Sequence, residues 1–218
     1  MITLKALSEH PQVKAFIEKS NHYLGEIGYT EHGVRHAKLT AKNASFILKE
    51  LDYSAQDQEL AAMAGYVHDM ANFLGRKNHP QSCAILIFHI LSSLGMDEKE
   101  IALIMNAISN HEEEDGVPTD PISAALIIAD KSDVHRSRIR TTKFINFDLH
   151  DRVNYAAKQS KILVDKRNQI ISLNLEIDPE ISQVMDYFEI FLSRMLACRK
   201  ASNVFNCQFQ LIINGVRL

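Results

Sequence analysis

Apolar residues recur at helical spacing over roughly the first 160 residues of this 218-residue chain, and no other feature constrains its fold as strongly. Residues that are typical of helix starts precede five of these stretches: Ser54, Pro80, Asp97, Asp120 and Asp148. Gly25 and Gly95 stand where two of the helical patterns end. The sequence therefore predicts a helical domain of about seven helices over residues 1–159.

The pattern changes near residue 160. Residues 161–165 and 169–177 read as two strands joined by a tight connection, and apolar side chains alternate along the second. Asp178 is predicted to start a long helix, and residues 209–213 are predicted to form a third strand. The chain is therefore expected to be mainly α. Residues 160–218 would form a C-terminal β-β-α-β extension, with a small antiparallel sheet packed on the helical domain.

The composition excludes disordered, collagen-like and low-complexity classes, since 46% of the residues are hydrophobic, 23% are charged, and only 8 are Gly and 5 Pro. With 24 Lys and Arg against 27 Asp and Glu, the net charge of −3 argues against a broad nucleic-acid surface. The three cysteines, Cys83, Cys198 and Cys207, are odd in number and widely spaced. A disulfide framework is therefore not expected, and a reducing compartment is favoured.

The sequence also bears on localisation. The N-terminal residues lack the long apolar stretch of a signal peptide, and Glu9 follows soon after them. Residues 78–96 contain no charged side chain, but their polar groups, among them His79, Gln81 and His89, are too many for a hydrocarbon environment. We therefore predict a buried helix in a cytoplasmic protein with no membrane partner.

An ordered set of histidines and aspartates carries the chemical signal. Its members lie on successive helical segments: His36, His68, Asp69, His79, His111 and Asp130. A single histidine in an apolar helix is more often a hydrogen-bonded core residue than a ligand, so the order is more specific than any member. Asp130 follows six apolar residues, and a carboxylate drawn inward in this way needs a partner or a metal. Imidazole and carboxylate together suit Fe, Mn, Co, Ni or Zn.

The order His36, then His68-Asp69, then Asp130 resembles the HD superfamily of metal-dependent phosphohydrolases. The resemblance covers about residues 20–150, on helical segments in the same order. Two stretches, 29–37 and 129–138, are similar to those of uncharacterised bacterial HD proteins.

The resemblance implies a ligand set for divalent transition metals. One ion would be held by a group of four: His36, His68, Asp69 and Asp130. Asp69 would also bridge to a second ion, completed by the additional His79 and His111. Asp69 and His68 would be the catalytic residues.

Two positions near these motifs leave alternatives open. His32 lies four residues before His36 on the same helix face and competes with it as the first ligand. We choose His36 because the residues that follow it match the spacing in the family, which would put His32 at the mouth of the site. Asn72 stands where many relatives have a phosphate-binding lysine, so it is expected near the substrate.

Residues 131–143 form a basic run with five cations against one acid, Asp133. Four of these cations are candidates for binding substrate phosphate: Lys131, Arg136, Arg138 and Arg140. Arg136 and Arg140, four residues apart, are predicted to act as a clamp. The alternative is a solvated helix end, where Lys and Arg are favoured by the helix dipole. The acidic run 112–115 is interpreted as a solvated loop, with cation binding or anion exclusion as the alternative.

The sequence favours a phosphohydrolase that acts on a small phosphorylated substrate, a nucleotide more than others, through water activated by two metal ions. A di-iron HD enzyme that activates dioxygen is one alternative. A non-enzymatic, metal-containing sensor of a phosphorylated ligand is the other. The substrate, the metal and the oligomeric state, a homodimer included, stay open.

Overall fold

The computed structural model describes residues 2–113, 116–140 and 148–218 of the chain. Within these ranges its helices are α1 (Leu4–Glu9), α2 (Pro11–Glu26), α3 (Val34–Glu50), α4 (Ala55–Val67), α5 (His79–Ser93), α6 (Glu98–Ser109), α7 (Pro121–Lys131), α8 (Leu149–Ala156) and α9 (Val184–Val204). The strands are β1 (Ala157–Asp165), β2 (Ile170–Ile177), β3 (Gln208–Ile213) and β4 (Val216–Arg217). The mainly α architecture with a C-terminal sheet is confirmed.

Local sequence signals account for most of the helix boundaries. Four predicted N-cap side chains accept hydrogen bonds from backbone N–H groups two or three residues later: Ser54, Asp97, Asp120 and Asp148. Pro80 lies in the first turn of α5, where a missing N–H costs no intrahelical bond. The sequence did not predict α1, a six-residue helix capped by Thr3 and followed directly by Pro11 at the start of α2.

The sheet is mixed, and the prediction of an antiparallel sheet was wrong in this respect. The strand order is β1-β2-β3-β4; the β1–β2 and β3–β4 pairs are antiparallel, but β2 and β3 run parallel. The physical reason is the connection: α9 carries the chain back along the sheet, and only such a crossover allows parallel neighbours. α9 itself begins at Val184, later than the predicted start at Asp178, because residues 178–182 form turns in which Asp178 O accepts two backbone bonds.

One hydrophobic core joins the helices to the C-terminal extension. The last eight residues of α4, Leu60 to Val67, are all buried, so this helix lies at the centre between α3 and α7. α9 packs on α7. The face of β2 that carries Ile171, Leu173 and Leu175 is buried. Among the described residues, none of the helices combines the length and the apolar character needed to cross a bilayer.

Gly65 sets the distance between α3 and α4. A Cβ atom at this position would lie 2.9 Å from the backbone nitrogen of Ala41 and 3.0 Å from the carbonyl carbon of Thr40. α3 carries His36, and His68 follows α4 directly. The close approach of these two backbones therefore brings the two histidines together.

Gly65→Ala is expected to lower the free energy of unfolding by roughly 1–3 kcal/mol, because overpacking forces two backbones apart. The gain in helix propensity, about 1 kcal/mol, acts in the other direction and does not remove the loss. Gly25→Ala is a matched control, since the nearest atoms to its Cβ, at 3.2 Å, belong to the end of the Arg140 side chain and not to a backbone. Urea denaturation measures both variants, and a Gly65→Ala protein as stable as the Gly25→Ala protein would contradict the close contact.

Candidate metal centre

The structure brings all six predicted ligands together at the ends of five helices. His36 lies in the first turn of α3, and His68 and Asp69 follow the end of α4. His79 begins α5, and His111 follows α6 two residues after it ends. Asp130, in the last turn of α7, completes the group. We call these six residues the His/Asp cluster.

One half of the cluster surrounds His36 and His68, whose Nε2 atoms lie 3.2 Å apart. Asp130 Oδ1 lies 3.3 Å from the Nε2 atom of His36 and 3.5 Å from that of His68. Asp69 Oδ2 approaches the same two atoms at 3.6 and 3.3 Å. Four ligand atoms thus converge on one small volume.

The other half of the cluster faces the second oxygen of Asp69. Oδ1 lies 3.1 Å from His79 Nε2 and 3.9 Å from His111 Nε2. Glu112, which the sequence analysis placed in a solvated loop, joins this half: its Oε1 lies 3.4 Å from His79 Nε2 and 3.6 Å from His111 Nε2. The two carboxylate oxygens of Asp69 are therefore divided between the two pairs of histidines. Glu114 and Asp115 of the acidic run lie outside the described residues.

Every histidine of the cluster is oriented through its Nδ1 atom. His79 lies beside Arg76, whose Nη1 is 3.1 Å from its Nδ1 and 2.9 Å from its Nε2. Each Nδ1 of the cluster has an oxygen partner: Gly65 O for His68 at 2.9 Å, Arg76 O for His79 at 2.9 Å, Ile108 O for His111 at 2.6 Å and Asp133 Oδ2 for His36 at 2.7 Å. Because these oxygens only accept, each Nδ1 carries a proton and donates it. In a neutral ring the lone pair is then on Nε2, which faces the cluster in all four residues.

The chemistry of this donor set fits divalent transition metals. Three groups of ligand atoms each lie within 4.8 Å of one another: His36, His68 and Asp130; His68, Asp69 and His111; His79, His111 and Glu112. Two Nε2 lone pairs at 3.2 Å repel one another unless a cation or a proton lies between them. Imidazole nitrogens with carboxylate oxygens are ligands that Zn, Fe, Mn, Co and Ni accept.

Without a metal, protons compensate the carboxylates. Burial lowers the pKa of His68, but Asp69 and Asp130 outweigh burial and raise this pKa to about 10. The carboxyl groups respond in the opposite direction: burial raises the pKa of Asp69, yet the charge of His68 holds it well below its usual range. Burial first, and then the charge of His68, lower the pKa of His111 to about 3, so that this ring is neutral.

Asp133 contacts His36 on the side of the ring that faces away from the other ligands. Its buried carboxylate accepts from His36 Nδ1, and it receives two bonds from Arg35, at 3.1 and 2.7 Å. Arg138 Nε lies 3.7 Å away. These cations, with His36, overcome the effect of burial and hold the pKa of Asp133 well below its usual range. The sequence analysis counted Asp133 only as the one acid in a basic run, and missed that it orients His36.

Asn72 also donates hydrogen bonds to a predicted metal ligand, Asp69. It is fully buried, and its Nδ2 donates to Asp69 Oδ1 at 2.9 Å and to Asp69 O at 3.0 Å. Its own Oδ1 accepts a bond from Arg76 at 3.2 Å. The structure therefore places Asn72 as a support for Asp69, whereas the sequence analysis predicted a substrate contact.

The geometry decides between His32 and His36. His32 Nε2 pairs with Arg138 Nη2 at 2.7 Å, and its Nδ1 donates to Thr30 O at 2.7 Å. Burial first, and then the charge of Arg138, hold the pKa of His32 well below its usual range, so the neutral ring accepts from the arginine. Both ring nitrogens of His32 are engaged, and only His36 offers Nε2 to the cluster.

Lys131 and Arg138, two of the residues predicted to contact the substrate, lie beside the cluster. Lys131 Nζ lies 2.7 Å from Asp130 Oδ2 and 3.3 Å from Glu113 Oε1. Its ammonium group is buried, and the surrounding carboxylates raise its pKa despite that burial. Together with His32, the two cations line a cavity of about 20 Å³ that opens on Asp69 and Asp130.

The predicted clamp of Arg136 and Arg140 is not present. Arg136 belongs to a 3-10 turn, and its guanidinium lies over the ring of Tyr155. Arg140 donates to Tyr29 O at 2.8 Å and to Thr30 O at 3.1 Å, so it holds a loop in place. The helix of α7 ends before this segment, and the two arginines do not share a helical face. Lys143 lies outside the described residues.

Two further arginines were missed by the sequence analysis. Arg76 Nη2 lies 2.9 Å from Glu112 Oε1, and the same guanidinium lies over the ring of Tyr29. Arg194, on α9, lies 3.2 Å from Glu113 Oε1. The position of Arg76 between His68-Asp69 and His79 was a usable signal, but nothing in the sequence placed Arg194 here.

Comparisons with known proteins were made against this geometry. No family model matches the chain. A curated relative, uncharacterized protein MJ1020 of Methanocaldococcus jannaschii, is 30% identical over 157 residues; the match covers 62% of this chain and only 60% of the relative's length. A solved structure of a predicted HD superfamily hydrolase from an uncultured Thermotogales bacterium is 21% identical, with a TM-score of 0.45, over 62% of this chain and 75% of that one.

Proposed function

We propose that this chain is a metal-dependent hydrolase of the HD type, and that it cleaves a phosphoester bond of a small phosphorylated molecule, with a nucleotide as the expected substrate. The observation that carries the proposal is the position of Asp69. Its two oxygens face two separate histidine pairs, each with Nε2 lone pairs directed inward. That arrangement suits a carboxylate shared by two cations.

The two halves of the cluster would hold one ion each. His36, His68 and Asp130 serve the first, His79 and His111 the second, and Asp69 both; Glu112 is an added ligand of the second. Divalent ions held there supply Lewis acidity, which activates water and neutralises charge on a phosphoryl group.

The protein's own residues prepare the site for an anionic substrate. Asp133 and Asn72 fix the orientation of His36 and Asp69, and support of this kind typically changes metal affinity or activity by about 10–100-fold. Lys131 and Arg138 place positive charge at the cavity above the ligands. The cavity is therefore lined by cations as well as by the carboxylates of the cluster.

A screen for phosphate release tests the proposal. Metal-loaded protein would be assayed on mono- and dinucleotides, with oxygen uptake and ligand binding followed in parallel. Turnover that requires the metal supports the hydrolase. Oxygen uptake by an iron-loaded protein that releases no phosphate would favour the oxygenase, and tight ligand binding without turnover would favour the sensor.

The number of ions gives a second test. Replacing His79 and His111 together with Ala should leave about one ion per chain and reduce phosphate release at least about tenfold. His89→Ala is the control, because His89 lies exposed on the same helix as His79. Elemental analysis after saturation measures the content. A wild-type protein that binds only one ion at saturation would contradict a two-ion site.

Metal binding should also release protons. Since the raised pKa of His68, about 10, keeps its ring protonated at neutral pH in the metal-free protein, an incoming ion must displace that proton. Calorimetric titration in buffers of different ionisation enthalpy should give about one proton per chain. The apparent affinity should fall as the pH falls, because protons then compete more strongly. Binding heats that are the same in all buffers would contradict the charge state described here.

A further inference from the structure

Arg194 lies where three cavities meet beside the His/Asp cluster. It lines the cavity of about 20 Å³ above Asp69 and Asp130, a second of about 310 Å³ on the side of Tyr29, and a third of about 710 Å³ on the side of Pro80. The two larger cavities have volumes in the range of small-molecule sites, about 300–1,000 Å³. Arg194 and Arg76 both line all three cavities.

The other cations at the cluster already have partners for their donors. Arg76 bonds to Asn72 and Glu112, and Lys131 is paired with Asp130 and Glu113. Arg138 donates to Asp133 O at 2.9 Å and pairs with His32 through its other terminal nitrogen. These cations are engaged in contacts within the protein, and few of their N–H groups remain for a ligand.

Arg194 differs from them in its bonding. Only its Nε is paired, with Glu113 Oε1 at 3.2 Å, and in the part of the chain that the structure describes neither Nη atom has a hydrogen-bond partner. Its guanidinium carbon lies 4.6 Å from the centre of the Phe191 ring, one turn earlier on α9. The side chain remains 26% exposed. The Nε group is thus paired and one face of the guanidinium lies against Phe191, while the two Nη groups have no partner among the described residues.

We propose that Arg194 binds the phosphoryl oxygens of the substrate, so that the C-terminal extension supplies a substrate-binding residue to the helical domain's metal centre. A planar guanidinium that offers its two Nη groups along one edge matches a phosphate or carboxylate in a bidentate manner, which a lysine cannot reproduce. The pairing with Glu113 and the contact with Phe191 orient the side chain before the ligand arrives. The inference rests on the proposed function, since it names how that site selects an anionic substrate.

Inorganic phosphate is a suitable probe for the free protein's anion site. Its affinity for metal-loaded protein would be measured by calorimetry, beside the KM and kcat of phosphate release. Arg194→Ala should weaken phosphate binding roughly ten- to a hundredfold, with metal content and helical signal unchanged. Arg194→Lys should recover part of the loss. Arg199→Ala, an exposed arginine on the same helix, should behave as wild type.

Glu113→Gln separates ligand binding from a purely structural role. If Arg194 acts only by pairing with Glu113, this variant should lose as much phosphate affinity as Arg194→Ala, and that result would overturn the inference. If Arg194 contacts the anion, the amide oxygen of the Glu113→Gln variant can still accept from Nε and orient the side chain, so losing the negative charge should leave the phosphate affinity unchanged or raise it. Full phosphate affinity in Arg194→Ala, in a protein whose wild type hydrolyses phosphoesters, would overturn the inference alone. A metal-loaded wild type that neither binds phosphate nor releases it would overturn the proposed function as well.

Discussion

Asp69→Ala is expected to lose bound metal and phosphate release together while its helices stay folded. Both oxygens of Asp69 face ligand nitrogens, Oδ2 towards His68 and Oδ1 towards His79, so its removal takes a ligand atom from each half of the cluster. Removing a residue that only supports a metal ligand typically lowers metal affinity or activity about 10–100-fold. Removing a ligand shared by two ions should lower both at least about a hundredfold. Elemental analysis, circular dichroism and a phosphate-release assay on the same sample measure the three effects.

Asp69→Asn distinguishes charge from shape at this position. The amide fills the same space and keeps one carbonyl oxygen, but it removes the negative charge that both halves of the cluster share. We expect it to lose metal nearly as completely as Asp69→Ala. Full metal content in either variant would remove Asp69 from the site and with it the link between the two histidine pairs.

Asp133→Ala is expected to have the largest effect on stability. The Asp133 side chain is fully buried and faces Arg35, His36 and Arg138, so its removal leaves the buried Arg138 without its counter-charge. Breaking such a pair by removing one partner typically costs about 3–5 kcal/mol. His36 would also lose the acceptor that orients it, which should weaken metal binding about 10–100-fold.

Asp52→Ala is the matched control for Asp133→Ala. Asp52 forms an ion pair with Lys166 in which both side chains are largely exposed, and exposed pairs contribute about 0–1 kcal/mol. Urea denaturation of metal-free protein would measure both variants. Equal stabilities for Asp133→Ala and Asp52→Ala would contradict the role given to the buried carboxylate.

Sequence reasoning succeeded where the signal was local. Ser54 and Asp120 predicted helix starts because a short polar side chain satisfies the N–H groups of its own first turn. The parallel pairing of β2 and β3 was missed, although its signal was present: two strands joined through a long helix favour a parallel crossover.

The cluster could be predicted as a set of residues, because its members follow one another in an order that resembles a known superfamily. The residues that contact and support these ligands could not be predicted from the sequence. Asp133 lies in a run of arginines and lysines that reads as solvated surface, and Glu112 lies in an acidic run that reads the same way. Only their three-dimensional neighbours, His36 and His79, show that both are part of the site.

The position of Arg194 beside the cluster could not be predicted from the sequence. It lies on a helix whose apolar pattern is occupied by core residues such as Phe191 and Met195, so its charge suggests only a solvent-facing position. Packing of α9 on α7 brings it beside Glu113 and Lys131. Contacts of this kind depend on how the extension docks, and no local rule supplies that.

Anomalous diffraction from crystals of the metal-loaded protein would locate the ions. We expect two anomalous peaks with the Asp69 carboxylate between them, one bound by His36, His68 and Asp130 and the other by His79 and His111. Peaks bound elsewhere on the protein, or none beside Asp69 at saturating metal, would contradict this expectation.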